Sequence, residues 1–132
     1  MAIATLVHAA AVSASVTGFG TTETVIAVSD IEPTNIGGEG YYVHGELGNV
    51  LTNAGASTLR LRVRQGNGIT GTVVADSGPM TTAAGANVNI SCGGVDGSPA
   101  SQYSLTVQAG AAAQAGTSTG ALLVGNASSA SA

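Results

Sequence analysis

The chain has 132 residues and a net charge of −4, from three Lys plus Arg against seven Asp plus Glu. That length fits one domain with a modest core, and its 8% of charged residues is far below the roughly 25% of an average soluble domain. The balance excludes the basic footprint of a direct nucleic-acid binder, one cysteine excludes an intrachain disulfide framework, and no apolar run of about 18 residues is present to cross a membrane as a helix.

From the N-terminus, Met1 to Val16 is apolar and superficially resembles a secretory leader. It lacks the positively charged start, and His8 interrupts the run. A first strand or a docking arm is the better expectation, with Ile3, Leu6, Val7, Val12 and Phe19 as the arm's contact residues. Thr22 to Ser29 is β-branched and extended. Asp30 to Gly40 holds Pro33, Asn35 and three glycines, which is loop chemistry. Tyr41 to Leu47 predicts a strand and Asn49 to Ala56 a turn. Ser57 to Gln65 alternates, with Leu59, Leu61 and Val63 on one face and Arg60, Arg62 and Arg64 on the other. Ile69 to Ala75 follows as a strand, Asp76 to Gly85 reads as a loop, and Ala86 to Cys92 alternates again. Gly93 to Pro99 is a predicted loop. Ser101 to Ala109 sets Tyr103, Leu105 and Val107 on one face. Gly116 to Val124 is the last predicted strand, before a tail of small residues.

These elements predict an all-β chain: an antiparallel β-sandwich, with an arm or first strand at 1–20, the sandwich at 21–125 and a tail at 126–132. An eight-stranded jelly roll and an immunoglobulin-like sandwich both fit, but the paired cysteines and buried Trp of the latter are missing, which favours the jelly roll.

Chemical motifs are sparse. Gly66-Asn67-Gly68-Ile69-Thr70-Gly71 matches a dinucleotide-binding glycine pattern, but a strand-like Thr72-Val73-Val74 follows where a helix is needed, so Asn67-Gly68 reads as a hairpin. His44 and Glu46 share one strand face without an evident third ligand, so no metal is expected. Cys92, in phase with Val88 and Ile90, reads as a buried inert thiol. No nucleophile motif is recognisable, and neither catalytic residues nor a cofactor are expected. Arg60, Arg62 and Arg64 are all the Lys and Arg in the protein, on one strand face. Three like charges at that spacing need carboxylate partners. Neighbours such as Glu46 or Glu23 within the chain would supply them, or carboxylates of another subunit in a shell contact; the two readings stand level.

The segments Thr21-Thr22-Glu23-Thr24-Val25-Ile26, Leu59 to Gly66, Gly71-Thr72-Val73-Val74 and Gln102 to Gln108 together resemble the small jelly-roll virion proteins of tailed bacteriophages, of the tumour-necrosis-factor-like type that decorate capsids. The resemblance spans Thr21 to Val124 and rests on strand and turn patterns. It implies a homotrimer on local threefold axes of the outer capsid surface, clamping the major capsid protein, made in the host cytoplasm, and contacting neither nucleic acid nor membrane. Tyr41, Tyr42, Tyr103 and Phe19 become the aromatic anchors, with Glu46 and the three arginines as further contacts. A shell-forming capsid subunit, a head-fibre or receptor-binding module and a cupin-like metalloenzyme are the competing readings; two His count against the last.

Overall fold

The computed structural model describes the backbone of residues 3–30, 41–51, 57–82, 87–97, 100, 102–110 and 114–130, and side chains within 20–29, 41–48, 58–81, 88–97, 100, 102–110 and 120–124. Among the described residues there are nine strands: β1 (Ile3–Phe19), β2 (Thr24–Asp30), β3 (Tyr41–Leu51), β4 (Ser57–Gln65), β5 (Val73–Asp76), β6 (Met80–Thr82), β7 (Asn87–Asp96), β8 (Gln102–Ala109) and β9 (Gln114–Ala130). Among the described residues no helix is long and apolar enough to cross a membrane.

The strands form two antiparallel sheets. One has the order β1-β9-β3-β7 and the other β2-β8-β4-β5, with β6 also paired to β4. β5 lies against Arg62–Arg64 and β6 against Ser57–Leu59, on one flank of β4. They are two halves of one interrupted edge strand, so the sandwich is the eight-stranded jelly roll that the alternating pattern predicts.

Period-2 alternation builds the core. Tyr41, Val43 and Leu47 of β3, Leu122 and Val124 of β9, and Ile90 and Cys92 of β7 face Leu59, Leu61 and Val63 of β4 and Tyr103, Leu105 and Val107 of β8. Each fully buried Leu or Val stabilises by about 1.5–3 kcal/mol relative to exposure. Gly45 sits among them because a Cβ there would run into Leu105 Cδ1 and approach Val63 Cγ2 at 3.2 Å.

Several expectations change. The β4–β5 hairpin forms, but its connection runs from Gly66 to Thr72 and not over two residues; the left-handed residue is Gly66 (φ 87°), and Gln65 N donates to Thr72 O at 2.9 Å. The predicted loop after Asp76 is a short interruption. Ser77 N donates to Leu61 O while Ser77 Oγ accepts from Leu61 N, both at 2.9 Å, so the ladder continues into β6. Gly93-Gly94 does not end β7, which runs on to Asp96, because Gly94 leaves room for Val74 O where a Cβ would collide. At the C-terminus, β9 continues past Val124 to Ala130, paired with β1.

Candidate interaction surfaces

The two sheets turn very different outer faces to the surroundings. On the β2-β8-β4-β5 face, Glu23, just before β2, reaches over Thr106 of β8 to the arginines of β4. Its Oε2 accepts from Arg64 Nε and Thr106 Oγ1, both at 2.6 Å; its Oε1 accepts from Arg64 Nη2 at 2.9 Å and Arg62 Nη1 at 3.1 Å. The Arg64 fork is thus bidentate. Arg64 Nη1 donates to Gly71 O at 2.8 Å, and Ser104 Oγ donates to Gly68 O at 2.9 Å, which holds the 66–72 connection down on the sheet. The Glu23, Arg62 and Arg64 side chains are only 11, 12 and 16% exposed. Arg64's hydrogen bonds hold the Glu23 carboxyl below its ordinary range against the opposing effect of burial, and Thr106 and Arg62 act in the same direction as Arg64. Arg60, 38% exposed, pairs with Asp76 at 2.6 Å and lowers that carboxyl's pKa in the same way.

Every arginine therefore has a carboxylate partner within the chain. Glu46, the other acid considered from sequence, is on the opposite sheet, where its Oε2 lies 3.8 Å from His44 Nε2. Asp76 was not legible as a partner, since its place beside β4 depends on the interrupted edge strand.

Tyr41 and Tyr103 are corrected from surface anchors to core residues. Both are fully buried and meet edge-to-face with ring centroids 6.2 Å apart. Tyr103 OH donates to Asp96 Oδ2 at 2.6 Å, and Gln65 Nε2 donates to the same oxygen at 2.7 Å. Burial, more than the nearby carboxylate, raises the Tyr103 pKa. Their phase with Val43 and Leu47, and with Leu105 and Val107, carried this signal in the sequence.

The β1-β9-β3-β7 outer face is nearly free of charge. Tyr42, Val95 and Leu123 are exposed there, Val95 to 63%. Tyr42 stands opposite Val95 across β3–β7, and His44 opposite Leu123 across β3–β9. A groove of about 390 Å³ at one end of this face is lined by Glu46, Gly48, Asn89, Ser91 and Ala121 among others; Glu46 is the one ionisable group among its lining residues. Among the described residues no group of three His, Cys, Asp or Glu could hold a metal. Cys92 is buried, and burial pushes its thiol up to about 11. Ile3, Leu6, Val7, Val12 and Phe19 all lie on β1, and their side chains fall outside the described residues.

No protein-family model and no curated protein matches the chain. Solved structures do. A chain of the infectious bursal disease virus Gx strain superimposes with a TM-score of 0.51 and 13% identity over 89% of this chain, which spans 32% of the viral one. A chain of the acidic stable capsid of Helicobacter pylori bacteriophage KHP30 gives 0.46 at 10% identity, covering all of both chains. One from the disulfide-linked pili of Bacillus endospore appendages gives 0.45 at 19% identity, covering 90% of this chain and 86% of that one. These neighbours are structural proteins of virus particles and of a pilus. At such identities the likeness to the bursal disease virus chain shows a shared fold.

Proposed function

We propose that this protein is a structural virion component, a decoration protein whose trimers seat on the outer surface of an assembled phage head and brace the major capsid subunits. One observation carries the reading. All three arginines are paired within the chain on one sheet face, while the opposite face offers Tyr42, Val95 and Leu123 with little charge around them. Interface cores are depleted of charge and enriched in aromatic side chains, so this second face suits burial against another protein.

Clamping follows from multivalency. A single protomer burying a standard interface of about 1,600 Å² binds modestly or tightly according to its few anchors. Three joined protomers gain roughly 10²–10⁴ in avidity if the geometry lets all engage. β1, as long as β9 and longer than β3 and β7, supplies further strand surface for the shell.

The test is sedimentation equilibrium of the purified protein, followed by cosedimentation with decoration-free heads and, separately, with unassembled capsid subunits. A trimer that pellets with heads and ignores free subunits supports the proposal. A lone protomer that stays in the supernatant overturns it, and heads that fail to form in its absence would make it a shell subunit instead.

A further inference from the structure

β1 stands at one end of the order β1-β9-β3-β7, so among the described residues no strand pairs with its outer side. Such an edge offers free N–H and C=O groups to any extended chain, and proteins ordinarily guard it with charge, proline or interruptions. The other edges carry guards. β2 ends on Asp30 and is irregular between Val25 and Ala27. The β5–β6 edge bears Asp76 and breaks at Gly78 (φ 69°), just before Pro79. β7 is approached at Gly94 by Val74 O of β5. β1, by contrast, contains no Lys, Arg, Asp, Glu or Pro, and its register on β9 is unbroken from Ala9 to Thr17.

Within that unbroken stretch the sequence is its own mirror. Val12-Ser13-Ala14-Ser15-Val16 reads the same in both directions. An antiparallel partner of the same sequence, related by a twofold axis at Ala14, sets Val12 opposite Val16, Ser13 opposite Ser15 and Ala14 opposite Ala14. Each cross-strand pair then joins like with like, and no charge meets another. A slip of one residue sets valines against serines and exchanges the faces of the strand. A twofold contact of this kind is self-complementary by construction.

We propose that β1 is a homotypic edge: two copies of this chain join by antiparallel β1–β1 pairing centred on Ala14, making one continuous sheet from their two β1-β9-β3-β7 sheets. The proposal goes beyond the decoration reading and does not rest on it. With a separate threefold contact, the edge links trimers to one another; without one, it yields pairs.

The experiment is site-directed crosslinking. Opposed residues of an antiparallel pair have Cα atoms about 4.5–5.5 Å apart, inside the disulfide range of about 4.4–6.8 Å, and native Cys92 is buried. The Ala14→Cys protein is expected to oxidise to a species of twice the chain mass on a non-reducing gel. Ser13→Cys mixed with Ser15→Cys should crosslink more than either alone. The S13K/S15K double variant, which sets Lys opposite Lys at two positions, should lose the twofold contact and halve the sedimenting mass. Ala14→Cys protein that folds but stays at single-chain mass overturns the proposal. So does folded S13K/S15K protein that sediments as the wild type; should that variant not fold, the Ala14→Cys result decides. A threefold species persisting in S13K/S15K leaves the decoration reading intact, whereas crosslinked pairs with no threefold species count against that reading alone.

Discussion

Glu23 is where one side chain does most to hold the fold's outer layer. It accepts four hydrogen bonds, from Arg62, Arg64 and Thr106, and its own side chain and those of the two arginines are largely covered. Removing its charge leaves the largely covered Arg64 guanidinium without its carboxylate, and leaves Arg62 only the more distant Asp76, 3.8 Å from its Nε, which costs about 3 kcal/mol at the low end for a broken buried pair. Glu23→Gln should therefore lower the urea midpoint clearly, and Arg60→Ala, at the exposed end of the stripe, should lower it less. Because the folded-state pKa of Glu23 lies below its ordinary 4.5, its contribution is complete above that pH and is lost as pH falls through the folded value. Asp76 behaves alike below its ordinary 3.8. Melting temperature should accordingly drop on acidification in the wild type and drop less in Glu23→Gln, as read by circular dichroism across the acid range. Cys92 gives a second prediction: a thiol buried between the sheets and raised to about 11 should resist an aromatic disulfide reagent in the native protein and react at once in denaturant. The arginine stripe itself was legible from alternation. Its partners were only half legible, because Glu23 reaches β4 across the intervening β8, and sequence does not state sheet order.

At the scale of elements, strands announced by apolar alternation sit where the pattern puts them, β4 from Ser57 to Gln65 most closely. Most of the departures involve glycine or serine. Gly93-Gly94 reads as a turn in sequence but marks the close approach of β5 to β7, and Ser77 mends a ladder that Gly78 and Pro79 interrupt. Gly45 belongs to the same class. Adding a methyl group there forces Leu105 and Val63 to move between the sheets, and overpacking of this kind costs about 1–3 kcal/mol. Gly45→Ala should lose that much in equilibrium unfolding with its m-value unchanged, while Gly68→Ala, with nothing within 4 Å of the added atom, should stay near wild type.

For the whole molecule, the jelly roll was legible because seven strand-like runs separated by turn residues, with an N-terminal segment able to add another, leave few alternatives to a two-sheet sandwich. Its strand order and the division of the surface into a charged, self-satisfied face and a nearly neutral one were not, since both arise from contacts distant in sequence. That division makes assembly the expected way of working. Neutral surface bearing Tyr42, Val95 and Leu123 gains by burial against a neighbour, and unguarded strand edges gain by pairing. The most direct measurement is cryo-electron microscopy of particles carrying this protein. Three jelly-roll densities grouped about an axis on the outside of a complete shell are the expected result. Density inside the shell wall, or particles bare of the protein while it remains dispersed as single chains, would contradict the account.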